Sequence, residues 1–347
     1  MKVTFVGQLS VLGTSPTEKR IRALLASTRK RGYETMAFSA TEKIKNINGA
    51  TIKYRPSFSP QSRGGWLYTI LSLLSATRSG ADTIHLTTWR AGALAWLAAT
   101  LRPTATIVWT ISTMPRAGSL LSRFVIWQAA RACDAITVPT RSLQYLLRLH
   151  FNLLAAYIPD GYEAPITPDI PAKTWNVRKG LYTVAITTSS ADRRRILKAY
   201  KATGTHKKIL VFKENELSER QLSSLVRQAA VVVLFDSGTR SSVLLQAMDA
   251  GKPIVAVNEP LYAEVLGTAG KVLRRSDAKY LRELLTDIVK NPSIQKELGV
   301  QAQKRSQAHF SWTRISDEYD KLYHYPLVRR VPVDSIQRSR LTDPAVY

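Results

Sequence analysis

Short runs of β-branched and aliphatic residues alternate with longer stretches in which apolar positions recur every three or four residues. In the first half the runs predict strands at Lys2–Val6, Tyr33–Phe38, Thr51–Tyr54, Thr83–Leu86, Ala105–Ile111, Ala135–Val138 and Ala155–Ile158. The helical period predicts helices from Pro16 to Arg31 and over Trp66–Arg78, Arg90–Leu101, Leu120–Arg131 and Ser142–His150. The first of these has a legible start. Ser15 caps, Pro16 suits the first helical position, Glu18 closes a capping box, and Gly32 ends the helix.

Pro165, Pro168 and Pro171 then interrupt the pattern, and 163–180 reads as a linker. The alternation restarts with strands at Leu181–Thr187, Lys208–Phe212, Val231–Phe235, Ile254–Val257 and Lys271–Leu273. Helices are predicted at Arg193–Ala202, Glu219–Ala229, Ser242–Ala250, Ala278–Lys290, Ile294–Gln307 and Trp312–Tyr323. Strand–helix alternation with short loops implies parallel sheets covered on both faces. The expected architecture is α/β, with two doubly wound, Rossmann-like domains facing a cleft. The expected division is 1–162, the linker 163–180, 181–310, a closing helix at 311–325 and a tail at 326–347. Ligands of such sheets bind at the carboxyl ends of the strands, so the cleft is the expected site.

Charge changes this picture more than composition does. Fifty Lys and Arg against 25 Asp and Glu leave a formal charge of +25, a field that attracts phosphates, anionic headgroups or nucleic acid. Between Lys173 and Lys213 there are eleven basic residues and one acid, Asp192. No nucleic-acid-binding module accompanies the charge, and no specific nucleic-acid partner is expected. The single cysteine, Cys133, excludes an intrachain disulfide and a cysteine-based zinc site. With no secretory signal at Met1–Gln8, the expected location is cytoplasmic, peripheral on the inner face of the membrane. Arg20, Arg22, Lys30, Arg31, Arg116 and Arg123 are the expected contacts with an anionic surface.

Five segments, in order, resemble one family. They are Ala135–Leu143 (AITVPTRSL), Tyr157–Tyr162 (YIPDGY), Leu244–Ala256 (LLQAMDAGKPIVA), Glu264–Gly270 (EVLGTAG) and Phe310-Ser311-Trp312. They are similar to the motifs of retaining GT-B glycosyltransferases of the glycogen-synthase-like and sucrose-synthase-like group, the group 1 glycosyl transferases. The resemblance implies a GT-B fold. It implies a nucleotide-diphosphate sugar held by the C-terminal domain and a glycan, lipid-linked or cell-envelope acceptor met by the N-terminal domain. It also implies transfer with retention, without a bound metal and with no cofactor beyond the sugar nucleotide.

Such transfer needs cations or aimed N–H groups for the leaving diphosphate, partners for the ribose, and a held acceptor hydroxyl. Arg193, Arg194 and Arg195, after the Thr187–Ser190 turn, are the candidates for the diphosphate, since a strand-to-helix turn aims a positive dipole end at an anion. Arg240, Ser241 and Ser242 offer a second anion-holding turn. Against the family pattern, the later of two glutamates, which contacts the ribose, is Gln246, and the earlier falls at Gly238. Glu264 completes the donor-side set that the resemblance implies. The position of a family histidine is Ser112, and no catalytic acid or base is assigned; His85 reads as a packed core residue. These departures leave a second expectation open, a catalytically inactive GT-B partner or scaffold protein.

Overall fold

A computed structural model of the chain describes residues 1–8, 10–12, 16–41, 43–55, 64–113, 120–162, 168–213, 216–235, 241–273 and 278–326. The elements of the first half are β1 (Lys2–Val6), α1 (Pro16–Lys30), β2 (Glu34–Ser39), β3 (Asn46–Ile47), β4 (Ala50–Tyr54) and α2 (Gly64–Arg78). Next come β5 (Thr83–Leu86), α3 (Trp89–Ala93), α4 (Ala95–Leu101), β6 (Thr106–Thr110), α5 (Leu120–Ala132), β7 (Ala135–Val138), α6 (Arg141–Phe151) and β8 (Ala156–Tyr157). The strands form one sheet in the order β3-β4-β2-β1-β5-β6-β7-β8, parallel except for the β3–β4 hairpin.

Parallel crossovers are right-handed, so the direction of each step along the sheet selects the face its helix covers. Steps from β4 to β5 and onward to β8 run one way and put α2 to α6 on one face. The step from β1 to β2 runs the other way and puts α1 opposite. The cores follow this division. Tyr68, Leu73, Ala91, Trp109, Ile126 and Leu147 pack on the first face. Val3, Phe5, Ile21 and Leu24 pack on the second.

The second half comprises β9 (Tyr182–Thr187), α7 (Ser190–Lys201), β10 (Lys208–Lys213), α8 (Glu219–Gln228), β11 (Val231–Phe235), α9 (Ser241–Asp249) and β12 (Ile254–Val257). It continues through α10 (Pro260–Leu266), β13 (Lys271–Leu273), α11 (Ala278–Lys290) and α12 (Pro292–Phe310) to α13 (Trp312–His324). Its sheet is all parallel, in the order β10-β9-β11-β12-β13. β11 is buried along its whole length, which is why it reads as an uninterrupted apolar run.

Four features differ from the sequence expectation. The stretch 90–101 is two helices broken at Leu94, whose N–H turns back to the Ala91 carbonyl. α7 begins at Ser190 rather than Arg193, because Ser189 caps it by accepting the Asp192 N–H. α10 adds a helix with Pro260 in its first turn. The described part of the expected linker is fastened to α8: the Gln228 amide holds Ala172 N–H and Ile170 C=O, and Arg227 pairs with Asp169.

Two of the motif segments meet in space. The Tyr162 N–H donates to the Phe310 carbonyl at 3.0 Å. A Cβ on Gly161 would stand 2.6 Å from the Trp312 ring, so only glycine lets the indole approach. This turn sends α13 back across the first sheet, where Ile315, Tyr319, Leu322 and Tyr323 complete the core around Val3 and Phe5.

Candidate functional site

Two contacts show how the sheets are opposed. Lys19, near the start of α1, pairs with Glu219 at the start of α8. The Arg141 N–H, at the start of α6, donates to Glu264 Oε2 of α10 at 2.9 Å. Each of these helices, like every helix that follows a parallel strand, starts at the carboxyl end of its sheet. The two carboxyl edges therefore face each other across a cleft. The contacts pair the end of β1 with that of β10, and the end of β7 with that of β12. Between them lie the ends of β5 and β6 on one side and of β9 and β11 on the other.

The expected donor-side residues divide across this frame. β9 and β11 are neighbours with Thr187 in register with Phe235, so the starts of α7 and α9 share one stretch of edge. This brings Arg193–Arg195 and Ser242–Gln246 to the same side of the cleft. Arg240 and Gly238 lie outside the described residues, as does the Ser241 side chain.

On α9, Gln246 is buried, and its Oε1 has no hydrogen-bond partner among the described residues. Such an acceptor costs about 1–3 kcal/mol until something donates to it. Ser242, one turn earlier on the same helix, is half-buried.

At α7 the later helix start changes the roles of the arginines. The three residues whose N–H groups are free of intrahelical partners are Ser190, Ala191 and Asp192. Ser189 Oγ takes the Asp192 N–H, and the Asp192 carboxylate accepts from Ser189 Oγ at 2.5 Å and from Arg195 Nη1 at 3.0 Å. The dipole end therefore already holds an internal carboxylate. Arg193 leans 3.7 Å from Glu216, an exposed and weak pair. Arg194 is exposed.

Glu264 stands on the other side of the frame, as an interdomain strut. Its carboxylate sits at the α6 N-terminus, where negative charge is favoured. Burial, then the neighbouring Glu264 carboxylate, push the Tyr157 hydroxyl above its usual range. Arg141 stacks over the Tyr157 ring at 4.8 Å, and Arg305 holds the Glu264 and Val265 carbonyls.

On the N-terminal side of the cleft, sequence reasoning missed the residue that occupies the region of Ser112. Arg20 is buried rather than facing a membrane: Nε and Nη2 donate to Asp160 Oδ1 at 2.8 and 2.5 Å, and Nη1 donates to Ser112 Oγ at 3.2 Å. Burial opposes the Arg20 charge, but Asp160, with a smaller contribution from Tyr319, outweighs it and raises its pKa. Arg22 donates to the Val11 carbonyl and Arg31 pairs with Asp317 and Asp320 of α13. Three of the expected membrane contacts thus have structural partners, and Arg116 lies outside the described residues. His85 is a core residue, with Nδ1 2.9 Å from the Tyr323 hydroxyl and Nε2 2.7 Å from Thr110 Oγ1. Burial, then Arg20, lower its pKa to about 3, so it is neutral.

The β1 and β5 ends are joined by a second polar cluster. Buried Gln8 accepts from Thr87 through its side chain and from the Tyr68 hydroxyl, at 2.6 Å, through its carbonyl. Gly7 has φ +115°, and a Cβ there would meet Thr88 Oγ1 at 2.5 Å. Gly7, just after β1, thus lies directly against the start of α3.

Comparison with known proteins agrees with this geometry. The family model for Glycosyltransferase Family 4 matches residues 17–163. A comparison with curated protein sequences finds no match. Among solved structures, sucrose-phosphate synthase from Thermosynechococcus elongatus superposes with TM-score 0.66 at 15% identity, over 93% of this chain and 98% of that one. Anabaena HepE, in complex with UDP and glucose, gives 0.68 at 13% identity, over 93% and 99%. A glycosyltransferase from Rickettsia africae gives 0.64 at 12% identity, over 95% and 99%. At these identities the likeness speaks for the fold: the chain is a GT-B protein, and its residues 17–163 match Glycosyltransferase Family 4.

Proposed function

We propose that the protein is a glycosyltransferase that moves a sugar from a nucleotide-diphosphate sugar to a glycan, lipid-linked or cell-envelope acceptor. The observation that carries this reading is Gln246, a buried acceptor with no partner among the described residues, on the helix that starts at the carboxyl end of β11. That is the position where the family resemblance expects a ribose contact. The N-terminal family match and the UDP-bound relative of the same fold support the reading.

In this reading a ribose hydroxyl donates to Gln246 Oε1. As the bond between the anomeric carbon and the β-phosphate oxygen breaks, the leaving diphosphate takes the electron pair and its negative charge grows. Arg194, Arg193 released from its exposed pair with Glu216, and Arg240 supply countercharge, and the hydroxyls of Ser241 and Ser242 donate hydrogen bonds. Arg195 serves indirectly, through Asp192. The acceptor oxygen forms the new bond to the anomeric carbon, and its proton passes to the departing diphosphate oxygen. The transfer retains the anomeric configuration, as in hexosyltransferases of the resembling group, and uses no cofactor beyond the sugar nucleotide. Glu264, also in the expected donor-side set, holds the two domains in register through the Arg141 N–H.

Isothermal calorimetry with UDP, GDP and ADP, without and then with magnesium, tests this. Micromolar, metal-independent binding of one nucleotide is expected, weakened in Arg193→Ala and Arg194→Ala. Silence from all three nucleotides overturns it.

A further inference from the structure

The helices α2 to α6 cover one face of the N-terminal sheet, and that face is chemically unlike the rest of the surface. The five helices carry six arginines and no Asp, Glu or Lys. The opposite face mixes signs: α1 has Glu18, and α13 has Asp317, Glu318 and Asp320. The arginine-bearing face also carries most of the large apolar side chains that reach solvent among the described residues. Trp66, Trp96, Leu101, Leu120, Phe124 and Trp127 are all at least 40% exposed, and Leu120 reaches 83%.

α5 shows that this is a pattern and not scatter. Its inner positions Val125, Ile126 and Ala129 are buried in the core. Its outer stripe, at i, i+4, i+7 and i+11, reads Leu120, Phe124, Trp127 and Arg131, with Arg123 beside it. Phe124 stacks on Trp127, and the Arg131 guanidinium lies 4.1 Å from the Trp127 ring centre. A helix that is apolar on both faces needs a second apolar neighbour. On the described surface of the chain it has none.

We propose that the N-terminal domain docks through the α2–α5 face onto a bilayer that carries anionic lipid headgroups. Tryptophan and arginine interleaved on one face suit the boundary between headgroups and acyl chains: the indoles sit at that level and the guanidinium groups meet the phosphates. The charge argues against a second copy of this chain as the occupant. A two-fold contact would set the patch against itself and bring arginine to arginine. No helix among the described residues is long and apolar enough to cross a membrane, so the attachment is to the surface. Because α5 follows β6, its exposed first turn lies on the carboxyl edge that borders the cleft. The docking stands on its own. Resting on the proposed transferase reading, it also makes the acceptor a lipid-linked hydroxyl presented at the bilayer surface.

Vesicle flotation with phosphatidylcholine, with and without phosphatidylglycerol, tests the surface without requiring activity. The protein should float with phosphatidylglycerol vesicles and much less with neutral ones. Arg123→Gln with Arg131→Gln should lower partitioning about 30-fold, at about fivefold for each charge near the surface. Phe124→Ser with Trp127→Ser should abolish it. Lys296→Gln with Lys304→Gln, two exposed α12 positions on the other domain, should leave it unchanged. All variants should keep the nucleotide binding of the parent, so a failed transferase reading and a failed docking surface give different results. Three outcomes overturn the proposal: no flotation, an equal loss in the α12 pair, or self-association in sedimentation that the Phe124/Trp127 variant removes.

Discussion

Gln246 offers a test in which stability and binding move in opposite directions. The perturbation is Gln246→Met, which keeps nearly the same length and removes the carbonyl oxygen that has no partner among the described residues. Leaving a buried acceptor unsatisfied costs about 1–3 kcal/mol, so the ligand-free variant should be more stable by about 1 kcal/mol or somewhat more. If a ribose hydroxyl donates to that oxygen in the complex, its loss removes about 0.5–1.5 kcal/mol of binding, a factor of about 2–13 in Kd. Urea unfolding, which resolves such differences in a chain of this size better than Tm does, reads the first quantity, and calorimetry with the preferred nucleoside diphosphate reads the second. Gln246→Glu should do the reverse, weakening the empty protein by burying a charge and tightening the nucleotide through a charge-assisted bond. A Gln246→Met variant that is less stable and binds nucleotide unchanged would refute the reasoning, because the amide would then be serving the protein's own core.

Three further predictions concern the frame around the cleft. His85 has a folded-state pKa of about 3 against an ordinary value of 6.5, so its contribution is complete above pH 6.5 and falls as pH drops toward 3. The slope is about 1.4 kcal/mol per pH unit, and urea unfolding of His85→Gln between pH 7 and 5.5 should be flatter than that of the parent by about that amount. Asp160→Asn strands the buried Arg20 charge and should cost about 3–5 kcal/mol, far more than the same change in an Arg20→Met background; equal costs in a double-mutant cycle would dismiss the coupling. Gly299→Ala places a Cβ 2.2 Å from the Gly251 carbonyl oxygen, a backbone atom that cannot swing away, so α12 must lift from α9. The expected loss of about 1–3 kcal/mol should appear in chemical unfolding.

The sequence was most legible where local chemistry and tertiary burial agree. Val231–Phe235, Ile254–Val257 and Lys271–Leu273 are short apolar runs in a buried sheet, and their observed bounds coincide with the expected ones. The start of α7 was written in Ser189 and Asp192, but the arginine run that follows drew the boundary three residues late. The break at Leu94 has no proline to announce it. It accompanies the Trp109 indole packed against Gly92, a contact between residues far apart in the chain. Arg20 shows the same limit more sharply. Beside Lys19 and Arg22 it reads as one more surface cation, and only the fold reveals that Asp160 and Ser112, 140 and 92 residues away, wait for it. Gln246 was found because its motif fixed its place, whereas the burial that leaves its carbonyl without a partner among the described residues is a property of the packed helix alone.

The return of α13 across the first sheet has a consequence for how the protein is made. Val3 and Phe5 leave the ribosome before the whole second half of the fold, and Ile315, Tyr319 and Tyr323, which cover them, leave after it. The domain that is synthesised first is therefore finished last, and the part of its second face that α1 leaves open stays bare while the whole C-terminal domain is translated and folds. A nascent chain stalled before residue 312 should hold a chaperone on that face, and the two halves, expressed as separate chains, should find each other through α13.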